Sequence, residues 1–431
     1  MANGISPSQE SKLRPAVTSM GCRLNIAEGE AITELASAAG LHDAVVINSC
    51  AVTNEAVRQT RQAIRRTRRA EPTAKIIVTG CAAQIDADQF AAMPEVDAVL
   101  GNDEKLKPES WNEIADVGTS TDTRVRVNDI MSVRQTVGHL IDGYGEKTRG
   151  FLQVQNGCNH RCTFCIIPYG RGNARSAKID EVCEQAQRLV DNGHKELVVT
   201  GVDITSWGED LDGQPPLGAL INSILTQTKG LFRLRLSSID GAEIDPTLAA
   251  LISDNQIIAP HIHLSVQSGD DMILKRMKRR HTREGIITLC DRLKAARPEI
   301  AFGADIIAGF PTETDEMFEN SLRLIEEAHL THLHVFPFSP REGTPAARMP
   351  QVNGNLIKER ASTLRAAGAE AFKSFLDTQV GRTLNGVCES GNSVRLGNYA
   401  VVKITEPVVR GDIVRVKVEG RDGQLLTGSI G

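Results

Sequence analysis

Residues 157–165 read GCNHRCTFC, and the spacing of Cys158, Cys162 and Cys165 sets the frame for the rest of the chain. The segment follows an apolar strand pattern, FLQVQ (151–155), and runs on into IIPYGRG (166–172). A four-iron cubane takes four ligands, usually thiolates. Three thiols in one short loop satisfy three irons and leave the fourth open. An open iron is what chelation of a substrate or cofactor needs, by the logic that separates catalytic from structural zinc sites. A zinc knuckle is the competing reading. Its fourth ligand would have to be His160, which lies between the cysteines where the geometry is poor.

Outward from this loop the chain has three textures. FLQVQ, KELVVTG, FRLRLSS, HIHLSVQ, FGADIIAG and THLHVFPF are six strand patterns, mostly separated by helical ones. They predict a six-fold βα repeat, a partial barrel, over 144–372. Upstream, AVTSM, AVVIN, KIIVT and VDAVL alternate with amphipathic segments and predict a small α/β domain with a parallel sheet over 14–120. Between these lies a mixed polar stretch, 102–146, read as a linker with one or two strands around RVRVNDI (124–130). Downstream, TLNGVCES, SVRLG, YAVVKI, DIVRVKVEG and LLTGSI alternate between Gly and Asn turns and predict a small five-stranded all-β barrel over 374–431. The opening MANGISPSQESKLRP reads as a frayed polar tail without a signal-like apolar core.

Cys22, Cys50 and Cys81 are far apart in sequence yet share an address. Each follows an apolar strand: VTSMG-Cys22, VVINS-Cys50, IIVTG-Cys81. Carboxyl ends of parallel strands converge on one crevice, where ligands bind. The three thiols therefore predict a second site one ligand short of four. Buried structural cysteine is the alternative for any one of them alone. Cys183 and Cys290 fall in helical patterns and Cys388 in the C-terminal barrel, and these are expected to be structural.

Composition narrows the function classes. The net charge of the 431 residues is −5, so a nucleic-acid surface would have to be a local patch. Aromatics are 4%, too few to read single-stranded RNA by rows of stacked rings. An odd count of nine cysteines without a secretion signal favours metal or redox use over a disulfide framework. No apolar run is long enough to span a membrane, and a cytoplasmic location is expected.

A CxxxCxxC loop after the first strand of a βα repeat resembles the radical-S-adenosylmethionine superfamily. That resemblance implies a cubane on Cys158, Cys162 and Cys165, with Phe164 in the cofactor-binding loop. The amino and carboxylate groups of S-adenosylmethionine would chelate the open iron, and one electron would cleave the sulfonium to a 5′-deoxyadenosyl radical. The next strand ends in Thr200-Gly201-Val202-Asp203, where the superfamily often carries a Gly-Gly-Glu-like segment against the methionyl amine. Asp203 offers a carboxylate to that ammonium; a helix N-cap is its alternative reading. GADIIAGFP (303–311) is similar to the glycine-bearing fifth strand beside the cofactor, which points to Gly309, although any buried parallel strand looks alike.

GCRLNIAEGE (21–30), INSCAVTNEA (47–56) and VTGCAAQ (78–84) resemble the N-terminal domain of the methylthiotransferases, and the C-terminal barrel resembles their RNA-binding TRAM domain. The resemblance implies two 4Fe-4S clusters, the second on Cys22, Cys50 and Cys81, and two uses of S-adenosylmethionine, as methyl donor and as radical source. Ala51-Val52-Thr53 after Cys50, LRLSSID (234–240) and HLSVQSGDDMILKRMKRRHT (263–282) are similar to the branch that adds a methylthio group to carbon 2 of N6-threonylcarbamoyladenosine next to the tRNA anticodon. Other branches act on isopentenyladenosine in tRNA or on an aspartate of a ribosomal protein. A non-enzymatic iron–sulfur RNA-binding protein is the more distant alternative. The partners implied are tRNA and an external electron donor. No residue stands out as a catalytic acid or base. Such chemistry is delegated to a cofactor because the carbon-2 hydrogen is neither acidic nor electrophilic.

Charge agrees with RNA without proving it. Arg58, Arg61, Arg65 and Arg69 fall on or near one helical face, with Arg66 and Arg68 nearby, and Lys275, Arg276, Lys278, Arg279, Arg280 and Arg283 form a second basic run. Both could bind phosphates. A merely solvated basic face is the alternative for each.

Overall fold

The computed structural model describes residues 14–116, 124–134, 141–145 and 148–431. These form two compact units. One comprises residues up to 141 together with 156–161 and 165–175; the other comprises 142–155, 162–164 and 176–431. Most of the N-terminal tail lies outside the described residues.

The first unit is built on five parallel strands in the order β1 (Ala16–Ser19), β2 (Ala44–Ser49), β3 (Lys75–Gly80), β4 (Ala98–Leu100) and β5 (Val125–Arg126). β2 and β3 are buried on both faces, which is why they read as unbroken apolar runs rather than alternating ones. Val46 and Ile77 pack with Ile32 and Ala36 of helix α1 (Arg23–Ala38) on one face. Ile47 and Val78 pack with Ile64 of helix α2 (Asn54–Ala70) on the other. Thr53 caps α2 by accepting from the Ala56 amide at 3.1 Å.

The expected linker 102–146 is more structured than its composition implied. Helix α3 (Pro108–Asp116) seats Trp111 and Ile114 against the sheet, and RVRVNDI supplies β5 as its fifth strand. The strand was expected from RVRVNDI; the helix was not, because one apolar pair, Trp111 and Ile114, is too little periodicity to register in a polar stretch. Residues 117–123 and 135–140 of this segment lie outside the described ones.

The second unit contains the six predicted strands. β6 (Arg149–Gln153), β7 (Glu196–Thr200) and β8 (Arg233–Leu236) form one parallel sheet, and β9 (His261–Gln267), β10 (Ala301–Ala308) and β11 (Leu330–Pro337) form another. Isolated bridges, Leu234 to Ile258 and Ile239 to Leu264, link the two sheets. Along β9, Leu264 and Val266 are fully buried against the outer layer, so His261, His263 and Ser265 face the opposite, inner side.

The C-terminal segment closes as a barrel in the order β12 (Thr383–Ser390), β13 (Ser393–Leu396), β14 (Val401–Ile404), β16 (Leu425–Ile430) and β15 (Ile413–Asp422). Val394, Val402, Val416 and Leu426 fill it. Among the described residues no helix is long and apolar enough to cross a membrane.

Candidate active site

In the first unit the three distant cysteines stand just beyond adjacent parallel strands. Cys50 and Cys81 directly follow β2 and β3, and Cys22 sits at the N-cap of α1, after β1. Two glycines make room. Gly21 has φ +83°, and a Cβ there would come within 2.5 Å of the Cys50 sulfur; Gly80 has φ +93°, and a Cβ there would strike the Ser49 backbone at 2.4 Å. The three sulfurs are not gathered within 4.8 Å of one another. A single tetrahedral zinc with bonds of about 2.3 Å would pull its thiolates closer than that. A cubane, with each thiolate on its own iron, spreads them.

Beneath these thiols lies a charged network that sequence reading missed. Arg171 is 1% exposed and donates through both terminal nitrogens to Glu28, one at 2.9 Å, and to Asn25. Its Nε lies 3.1 Å from Cys81 Sγ. Lys105, fully buried, donates to Glu28 at 2.7 Å, Asn102 at 2.6 Å and Asn48 at 3.3 Å. Asn102 in turn points Nδ2 at Cys81 Sγ, 3.8 Å away. Asn25 donates to the carbonyls of Met20, just past β1, and Ser49, the last residue of β2, ahead of Cys22 and Cys50 respectively. Burial opposes the charge on Glu28, yet Arg171 and then Lys105 hold its carboxyl down at about 2. One carboxylate faces two cations, which leaves a net positive charge against the Cys81 sulfur. Burial pushes the Cys50 thiol up to about 11, so it stays protonated until a metal takes it.

The cluster loop is shaped locally. In the first unit Cys158 N donates to Gly172 O at 3.1 Å, Ala174 N to Asn159 Oδ1 at 3.0 Å, and Arg161 to Cys158 O at 2.7 Å. Gly157, at φ +73°, admits no Cβ, which would overlap Asn173 O at 1.9 Å. Cys165 opens the segment that leads into Arg171.

In the second unit Cys162 and Phe164 are held by what flanks them. Thr163 N donates to Met277 O at 3.1 Å and its hydroxyl to Arg276 O at 2.8 Å, while its carbonyl accepts from Ala346 N at 2.9 Å. Phe164 packs against Phe310 and the Ile273, Met277 and Phe338 cluster. Arg279 Nη1 lies 3.7 Å from Cys162 Sγ; its other nitrogen donates to Asp240 at 2.9 Å and to Ser265 O at 2.7 Å. Asp203 does not cap backbone amides: its carboxylate accepts from the Thr205 and Ser206 hydroxyls at 3.1 and 3.0 Å. Gln155 Oε1 accepts from both Val202 N and Asp203 N, which fixes that turn. Gly309 has φ +72° and donates its amide to the buried Glu313, which Arg360 also binds.

The arginines of the second basic run are committed to partners within the protein rather than left as a phosphate-binding or merely solvated face. Arg279 and Arg280 share Asp240, Arg280 also pairs with Glu243, Arg283 with Glu327, and Arg276 donates to Thr312 O. Their acids lie far off in sequence, so a charge count could not see them. In the first run Arg68 is likewise tied to Asp97 and three carbonyls. Arg65, Arg66 and Arg69 line an open groove of about 580 Å³ with Gln59 and Gln62. Cys183, Cys290 and Cys388 are buried in a helix, a helix and β12 respectively, away from either triplet in sequence.

Residues 152–325 match the Radical SAM superfamily, and residues 14–101 match Uncharacterized protein family UPF0004. A threonylcarbamoyladenosine tRNA methylthiotransferase of Rickettsia prowazekii is 49% identical over 95% of each chain. That of Bacillus subtilis is 36% identical over 94% of this chain and 93% of its own. A tRNA-2-methylthio-N(6)-dimethylallyladenosine synthase of Cereibacter sphaeroides is 33% identical over 96% and 97%. The solved radical S-adenosylmethionine methyltransferase TsrM of Kitasatospora setae, with cobalamin and a 4Fe-4S cluster bound, has a TM-score of 0.56 at 16% identity, over 77% of this chain and 76% of that one. That last likeness is one of fold.

Proposed function

Because the chain belongs to the radical-SAM methylthiotransferases, we propose that it adds a methylthio group to carbon 2 of N6-threonylcarbamoyladenosine next to the anticodon of tRNA. The relatives named for that reaction reach 49% identity, against 33% for the dimethylallyladenosine enzyme quoted above. We read it as a cytoplasmic enzyme that meets tRNA and an external electron donor. The observation that carries the reading is the trio of strand-end thiols, Cys22, Cys50 and Cys81, set over the buried Arg171.

The residues present fit the two clusters and S-adenosylmethionine of this family. Three soft thiolates and a net positive network suit an anionic thiolate-bound cluster, and hydrogen bonds to the sulfur tune its potential. When bound, these groups supply the radical and the sulfur-containing group to be transferred. Cys22, Cys50 and Cys81 would hold one cluster, and Cys158, Cys162 and Cys165 the other. Arg171 orients Cys81 and would offset the charge of a cluster-bound thiolate there. Arg279 would do the same beside Cys162, anchored by Asp240. Asp203 would present a carboxylate to the cofactor's ammonium, and Phe164 and Gly309 would shape its surroundings. The groove of Arg65, Arg66 and Arg69 offers phosphate contacts that fix the RNA without reading its sequence.

The test is reconstitution without oxygen. Cys162→Ala protein should not cleave S-adenosylmethionine to 5′-deoxyadenosine. Cys50→Ala protein should cleave it yet give no methylthio product on threonylcarbamoyladenosine tRNA. Loss of cleavage in Cys50→Ala with the other cluster intact would refute this division of labour.

A further inference from the structure

Five side chains on the inner faces of β9, β10 and β11 have no part in cluster binding, and four of them are histidines. His261 and His263 come from β9, Asp305 from β10, and His332 and His334 from β11. The register sets Asp305 opposite His334 and puts Gly303 between His263 and His332. Asp305 Oδ1 lies 3.0 Å from His263 Nε2 and 3.2 Å from His334 Nδ1, and the two imidazole rings are 4.7 Å apart. Gly303 makes the cluster possible: a Cβ there would sit 2.5 Å from His263 Nδ1. The His263 side chain is 7% exposed, Asp305 20% and His334 60%, so the triad grades from a buried root to an open tip.

Its level in the strands is informative. Ser265, the next inward residue after His263 on β9, accepts from Arg279, which also touches Cys162. Two residues of strand are about 6.6 Å. The triad therefore lies one pleat below the cluster loop. Below it, His261 stacks on Tyr399 at 4.9 Å and meets His332 at 5.1 Å. Burial pushes His332 down to about 3, so its ring stays neutral, and Tyr399 beside it carries the guanidiniums of Arg235 and Arg395 at 4.8 and 4.6 Å. The triad lies above this layer on the same strands.

The chemistry of the triad is directional. Burial disfavours charge on Asp305, but hydrogen bonds from His263 and His334 keep its carboxyl well below the usual range. An ionised carboxylate only accepts, so His334 must carry its hydrogen on Nδ1. Its Nε2, on the opposite edge of an exposed ring, is left to face a ligand. It can accept from a hydroxyl or N–H, or when protonated donate to a carboxylate. We propose that His263, Asp305 and His334 form the subsite that reads the polar group on N6 of the substrate adenosine. This inference rests on the threonylcarbamoyl reading above. That group carries a carboxylate, a hydroxyl and urea N–H groups, whereas an isopentenyl group has none and would leave the triad unpaired. A site built to hydrogen-bond a substrate rejects the analogue that lacks the partner.

The experiment uses the reconstituted full-length enzyme with His334→Phe and His334→Gln variants. The probes are anticodon stem-loop RNAs carrying threonylcarbamoyladenosine, its methyl ester or isopentenyladenosine at one position. Fluorescence anisotropy gives each affinity, while circular dichroism and metal analysis establish that the variants are folded and loaded. The wild-type enzyme should prefer the free acid to the ester and to isopentenyladenosine by about tenfold or more. His334→Phe should abolish that preference and His334→Gln should keep part of it. A His334→Phe enzyme with an unchanged preference would overturn the assignment. So would a stoichiometric divalent metal held by the wild type and lost in His334→Phe, which would make the triad a metal site. A wild-type enzyme that modifies only the isopentenyl RNA would instead overturn the substrate reading itself, and is recognisable without any variant.

Discussion

Glu28 in the first unit and Glu196 in the second are buried alike, each with a side chain 1% exposed and each shared by two cations. Arg171 and Lys105 hold the first; Arg235 and Arg233 hold the second, at 2.9 and 3.1 Å. In both, burial opposes the charge, and the cations win and hold the carboxyl down at about 2. The difference lies in where the spare donors go. Arg171 turns its Nε to the sulfur of Cys81. Arg235 and Arg233 give theirs to the carbonyls of Gly397 and Asn385 in the C-terminal barrel. The same electrostatic device serves a ligand in one place and pins a barrel in the other. A buried ion pair therefore does not mark a functional site until its remaining hydrogen bonds are followed.

Replacing one partner tests this contrast with the largest expected effect. Arg171→Met and Arg235→Met each strip a buried carboxylate of a cation and should each cost about 3–5 kcal/mol in chemical denaturation. Their metal content should differ. Wild type reconstituted without oxygen should hold about eight irons, Arg171→Met about four, and Arg235→Met the full complement. Arg171→Met with full iron and an unchanged paramagnetic spectrum would reduce Arg171 to the pinning role of Arg235.

Acid should weaken both networks in the same window. Each carboxyl sits at about 2 in the fold against an ordinary 4.5. A lowered folded value contributes stability that is complete above about pH 4.5 and fades as pH falls toward 2. The shift is worth about 3 kcal/mol per group. Denaturation midpoints between pH 6 and 3 should fall steeply in wild type and less steeply in Glu196→Gln. An unchanged slope in that variant would mean that Glu196 is not held ionised by its arginines.

The smallest effect on stability is expected at the exposed arginines of α2, which pair with nothing so deeply buried. Arg66→Gln and Arg69→Gln should change stability by less than about 0.5 kcal/mol. Each should weaken tRNA binding and lower the dependence of log affinity on log salt by up to about 1. Substitutions that leave the salt dependence untouched would make this groove a solvated face.

What could be read from sequence followed the distance between cooperating residues. Cys158, Cys162 and Cys165 declare themselves because one loop carries all three. Cys22, Cys50 and Cys81 needed the strand pattern to bring them together, and β1–β3 are apolar enough to give it. The C-terminal barrel was legible from its turns. The Glu28 network was not, since Lys105 and Arg171 lie 77 and 143 residues from Glu28. The same holds for His263 and Asp305, 42 residues apart, and for the arginines after Met277, whose acids come from other elements. Strand β5 was legible in RVRVNDI, whereas helix α3 was lost in polar sequence because two buried residues, Trp111 and Ile114, are nearly all that mark it.

The central claim is that the strand-end thiols above Arg171 serve methylthio transfer to threonylcarbamoyladenosine in tRNA. Mass analysis of tRNA nucleosides from cells deleted for this protein tests it most directly, with wild-type and Cys50→Ala genes returned in parallel. The account predicts that methylthio-threonylcarbamoyladenosine disappears, that its unthiolated precursor accumulates, and that wild type restores the mark whereas Cys50→Ala does not. An unchanged level of that nucleoside in the deleted cells, or a loss confined to methylthio-isopentenyladenosine, would contradict it.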